Sequence, residues 1–171
     1  FTRLGIKSSI QILEEKKEKA EEKAKRDSIR ELNKKETSAI NFLLKSLKTV
    51  APGFSGVFYA FEDTENIQIE NNYGSLYSIS FKILKSDKIL GELKDSASQF
   101  DEKTVYLNGK LFSQSFGSIM STLLHELQHT FGHMDGSRTF GDQLTILLKI
   151  MIDHPAELVK CKKQWEEYRI V

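Results

Sequence analysis

The stretch HELQHTFGHMD, His125 to Asp135, holds three of the chain's four histidines together with a glutamate and an aspartate. On a helix, His125 and His129 stand one turn apart on the same side. Two imidazoles at that spacing can share one metal ion at about 2.0–2.1 Å. Glu126 is displaced around the helix, so it misses the ion but reaches a water beside it. That is the HExxH arrangement of two ligands and a general base, suited to zinc-assisted hydrolysis.

A catalytic zinc takes three protein ligands and keeps one position open. Asp135 offers a hard anionic oxygen. Gly132 accepts the left-handed conformation that ends a helix, which lets the chain turn and bring Asp135 back over the histidine pair. His133, four residues after His129, is the alternative third ligand if the helix continues through Gly132. Glu157 and Asp142 are further alternatives from later in the chain.

The helix that must carry these groups is legible in its apolar residues. Phe116, Met120, Leu123, Leu127 and Phe131 form one stripe, and the histidines lie near the opposite side, with Ser118 and Thr122 extending the polar face. The plain alternative is a pair of solvent-facing histidines on an amphipathic helix. The phase of the stripe, the strand expected before it, and the glycine and ligand-type residues that follow weigh against that.

The motif resembles the zincin metallopeptidases, and among them the metzincin pattern HExxHxxGxx followed by a third ligand, which is aspartate in the snapalysin-like enzymes. His125, Glu126, His129 and Gly132 match, and Asp135 occupies the third-ligand place. The resemblance covers eleven of 171 residues. It implies a zinc-dependent metalloendopeptidase with His125, His129 and Asp135 on Zn2+, Glu126 as base, and a peptide or protein substrate bound along an edge strand. Glu157 would instead follow the gluzincins, although PAELVK lacks their fuller motif. The chain departs from metzincins in having no methionine-bearing turn: Met151 sits in LTILLKIMID, a helical pattern. Snapalysin-like enzymes are secreted, and nothing in this sequence indicates secretion.

An oxyanion needs a donor besides the metal. Arg138, Tyr168, His154 and Tyr106 are the candidates, with Ser137 and Asp142 as partners for a ligand histidine. Two other functions stand beside peptide hydrolysis. One is a non-catalytic zinc-containing regulatory or interaction module of a larger protein, with His133 and Asp135 both on the metal. The other is a helical adaptor without metal.

Around the motif, periodicity predicts an α+β domain over residues 37–171, with several strands, then the motif helix and further helices. The resemblance implies that the strands form a small mixed, zincin-like sheet preceding an active-site helix. GVFYAF reads as a buried strand. In LYSISFKIL, Tyr77, Ile79, Phe81 and Ile83 alternate with Ser78, Ser80 and Lys82, as a half-buried strand requires. KTVYLNGKLF reads as a strand ending in an Asn-Gly turn, and NNYG as another turn. The tail from Asp142 reads as two helices split at Pro155.

Residues 1–36 differ in composition. Lys, Glu, Ala and Arg dominate, no Gly or Pro occurs between Ile6 and Ala51, and the apolar stripe is sparse. This predicts a long charged helix or weak coiled coil, dispensable for folding, with residues 9–36 available to an upstream domain or coiled-coil partner. A start at Phe1 is expected of a fragment or a processed product.

Composition excludes several classes. The chain is 39% hydrophobic and 29% charged with net charge +1, so nothing favours nucleic acid or an anionic membrane. No apolar run of about 18 residues is present for a transmembrane helix. The single cysteine, Cys161, cannot form a disulfide framework, and its lysine-rich surroundings read as a solvated helix face. No signal peptide is recognisable, so an intracellular, cytoplasmic location is expected.

Overall fold

The computed structural model describes residues 29–51, 58–60, 67–70, 76–85, 90–95, 102–129 and 135–170, with residues 16 and 17. The charged helix expected over residues 9–36 lies outside the described residues as far as Ser28, apart from Lys16 and Lys17, which are helical.

Strands β1 (Ile29–Glu31), β2 (Phe58–Ala60), β3 (Ile67–Glu70), β4 (Leu76–Leu84), β5 (Gly91–Asp95) and β6 (Glu102–Asn108) form one sheet. Its order is β2-β3-β4-β6-β5. β3 pairs with Leu76–Ile79 of β4 and β1 with Lys82–Leu84, both antiparallel. β6 runs parallel to β4, and β5 antiparallel to β6. Ile79, Phe81 and Ile83 are buried as the alternation requires. Together with the helices this is a mixed α+β fold.

Helix α1 (Lys34–Val50) starts in a capping box: the Asn33 side chain accepts from the Lys35 and Glu36 amides, and Glu36 accepts from the Asn33 amide at 2.9 Å. Its apolar face, Ala39, Ile40, Leu43, Leu47 and Val50, is fully buried. Arg30 of β1 makes two hydrogen bonds of 2.7 Å to the Glu36 carboxylate. The boundary drawn after Glu36 therefore cuts through this unit, and Ile29–Glu31 is strand, not charged helix. Pairing with β4 and the Arg30–Glu36 contact set the conformation of these residues, over their local helix propensity.

After β6 the chain does not make a hairpin at Asn108-Gly109. Asn108 caps a short 3-10 turn, Gly109–Ser113, accepting from the Lys110 amide at 3.0 Å. Helices α2 (Phe116–His129), α3 (Arg138–Ile152) and α4 (Pro155–Tyr168) follow. α4 locks the start of α2 in place. Trp165 is fully buried and donates to the Gln114 carbonyl at 2.9 Å, and Tyr168 stacks on Phe42 of α1 with centroids 4.4 Å apart. Cys161 faces this core and is buried rather than solvated. No helix among the described residues is long and apolar enough to cross a membrane.

Candidate functional site

The α2 sequence divides its surface as the stripe predicts. Phe116, Ile119, Met120, Leu123 and Leu127 are buried in the core. His125 and His129 emerge on the other side, their side chains 40% and 19% exposed. Their Nε2 atoms lie 3.3 Å apart.

Asp135 meets them from the next turn of chain. Its Oδ1 is 3.2 Å from His125 Nε2 and 3.5 Å from His129 Nε2. Gly136 follows with φ of 74°, in the left-handed region where a side chain would be strained. Ser137 then caps α3, its Oγ accepting from the Phe140 amide at 3.2 Å. The sharp turn into α3 delivers Phe140, whose buried ring stacks on His129 at 5.0 Å and meets His125 edge-on at 4.9 Å. Phe140 thus walls one side of both imidazoles.

Could these three groups hold a metal? Ligands on a tetrahedral zinc with bonds of about 2.0–2.1 Å stand about 3.3 Å apart. The three separations here, 3.2, 3.3 and 3.5 Å, bracket that edge length. The donor set of two imidazole nitrogens and one carboxylate oxygen suits zinc, and among the described residues no fourth ligand joins it.

Glu126 is 5% exposed. Burial pushes its carboxyl up to about 7; His129 opposes this, while Asp135 and Glu92 add to it. A divalent cation on the neighbouring ligands would act in the opposite direction. Strand β5 passes directly over this carboxylate. A Cβ on Gly91 would stand 2.6 Å from Glu126 Oε1, so any side chain there would force Glu126 or β5 to shift. His125 and Glu126, but not His129 or Asp135, line a cleft of about 930 Å³, bordered on the α2 side also by Phe116, Met120 and Leu124 and on the α3 side by Leu144, Leu147, Leu148 and Met151.

The remaining sequence candidates fall elsewhere. His133 and Gly132 lie outside the described residues. Among those described, the ligand cluster is His125, His129 and Asp135, without Asp142 or Glu157. Asp142 pairs with Arg138 at 3.6 Å on exposed surface. His154 donates from Nδ1 to the Ile150 carbonyl at 2.8 Å, at the start of α4. Tyr106 lies on β6 opposite Glu92. None of the four oxyanion candidates lines the cleft among the described residues. Met151 is helical, in α3.

Sequence reasoning missed Gly91, Gly136 and Phe140. Gly91 opens a short polar strand, GELKD, whose place beside Glu126 depends on long-range pairing. Phe140 stands only five residues past Asp135, and an aromatic residue so close to a metal motif was a usable signal. No family model, curated protein or solved structure matches the chain.

Proposed function

We propose that this chain is a zinc-dependent metallopeptidase with a zincin-like active site. The observation that carries the reading is the convergence of His125, His129 and Asp135 at tetrahedral spacing, with the buried carboxylate of Glu126 beside them and lining a cleft. When bound, zinc lowers the pKa of a coordinated water and polarises a carbonyl. His125, His129 and Asp135 would hold it, and Phe140 would fix the ring planes of the two histidines. Glu126 takes a proton from the attacking water and returns it to the leaving amine. The mixed sheet supports the reading, because β5 pairs only with β6 among the described residues and passes Glu126 at Gly91. An extended peptide can add to such an edge.

The test is hydrolysis of denatured protein by untagged full-length chain expressed with zinc. Cleavage should stop on chelation and return with added zinc. Cleavage that persists after complete metal removal would contradict the reading, as would none at full zinc loading.

A further inference from the structure

The cleft beside Glu126 is larger than one side chain requires. At about 930 Å³ it lies near the top of the range for pockets that hold a whole small ligand, about 300–1,000 Å³. Along α2 its lining residues run from Phe116 through Met120 and Leu124 to His125. Those ten residues span about 14 Å at 1.5 Å per residue. An extended chain covers that distance in about four residues at roughly 3.3 Å each. The opposite wall is α3, with Leu147, Leu148 and Met151. Apart from His125 and Glu126, Lys162 is the one charged residue lining the cleft among the described residues.

We infer that the cleft is a subsite for a run of about four consecutive apolar residues in a polypeptide, adjoining the bond to be cut. This rests on the peptidase reading and names its substrate class: apolar segments that folded proteins keep inside. One feature favours a peptide over an acyl chain of similar length. Gly91 of β5 lines the cleft, so backbone hydrogen-bonding groups border it where a second backbone can use them. The wall also carries Ser115, Ser121 and Thr122, whose hydroxyls are satisfied within α2 and its entry: Ser115 by the Ser118 hydroxyl, Ser121 and Thr122 by the Ser118 carbonyl. Leu148 is 58% exposed on the α3 side, an apolar surface that an apolar segment would cover.

The experiment uses the full-length chain, both wild type at low temperature and Glu126→Gln to prevent turnover. Its probe is a fluorescein-labelled peptide with four adjacent Leu or Phe residues. The control carries Ser and Gln in those places, and dodecanoate is the competitor. Anisotropy should show the apolar peptide binding at least about tenfold more tightly than the control. Leu148→Glu, and the milder Leu148→Ser, should remove most of that difference with zinc content and circular dichroism unchanged. Equal binding of the two peptides overturns the inference, and so does displacement of the apolar peptide by an equal concentration of dodecanoate. Failure of the peptidase reading looks different: selective peptide binding without cleavage. Zinc-dependent cleavage with no apolar preference would sink this inference alone.

Discussion

Two glutamates in this molecule are almost equally buried, Glu36 at 4% and Glu126 at 5% exposure, yet they hold their protons oppositely. Burial alone would raise both. At Glu36 it is outweighed by the hydrogen bonds of Arg30 and the Asn33 amide and by the charge of Arg30, so its carboxyl sits below the ordinary value. At Glu126 burial prevails and carries the carboxyl to about 7. The first glutamate is answered by its own fold, and it joins β1 to α1. The second stands beside two histidines and an aspartate, in a cleft. A buried acid whose surroundings stabilise its charge belongs to the architecture; one whose surroundings raise its proton affinity is a candidate for proton transfer.

Isosteric substitution should pull the two apart. Glu126→Gln is expected to lower peptide hydrolysis by about 10²–10⁴-fold while zinc stays bound and denaturant stability does not fall. Glu36→Gln should leave hydrolysis per folded molecule unchanged and lower stability instead. Matched kinetics and urea titrations of both variants check the crossing, and activity loss of similar size in both would erase the distinction.

Gly91→Ala is the next largest effect. The added methyl must displace Glu126 or β5, because its nearest neighbours are the Glu126 Oε1, Cγ and Cδ at 2.6, 2.8 and 2.9 Å. A small displacement of a catalytic base lowers kcat/KM by about tenfold to a hundredfold, and zinc content should be unaffected. Wild-type kinetics in this variant would show that the approach of β5 is irrelevant to Glu126.

On the structural side, a chain beginning at Thr37 loses β1, the Asn33 cap and Glu36 together. The cap alone contributes about 1 kcal/mol. Arg30 and Glu36 are lost together, which leaves no orphaned charge, so their pairing adds only about 0.5–1.5 kcal/mol, towards the low end because the Arg30 side chain is 51% exposed. A chain beginning at Ile29 should be more stable than one beginning at Thr37 by at least that much, measured by urea unfolding. Equal midpoints would restore the boundary after Glu36.

The smallest effect is the pH dependence of Glu36. Its folded value is depressed, so its stabilisation is complete above the ordinary glutamate value of about 4.3. It is lost as pH falls through the lower folded value. Stability should therefore drop more steeply below that pH in the wild type than in Glu36→Gln. Parallel curves would mean that Arg30 does not hold the carboxylate charged.

The difference between the two regions also explains what the sequence made legible. Local periodicity carried α2, whose Phe116, Met120, Leu123 and Leu127 are buried as spaced, the alternation of β4, and the break between α3 and α4 at Pro155. The ligand cluster followed from α2 because i and i+4 fix the histidines, and Asp135 joins them after a short connection. Elements made by distant partners left no local trace. β1 is Ile-Arg-Glu in a charged run, and β5 is GELKD, with neither period nor β-branched residues. Both are strands because β4 and β6 present ladders to them. Gly91 and Phe140 escaped notice for the same reason: each acts through a contact between elements, with Glu126 and with the histidine pair.

The central claim is that His125, His129 and Asp135 form one zinc site served by Glu126. It is tested most directly by the zinc content of untagged chain after zinc-replete expression, measured by elemental analysis for wild type, Asp135→Ala and Asp135→His. About one zinc per chain is expected in the wild type, little in Asp135→Ala, and retention in Asp135→His, where an imidazole replaces the carboxylate. Wild-type protein without metal would contradict the claim. So would Asp135→Ala with its zinc intact and His133→Ala without it, because the third ligand would then be His133.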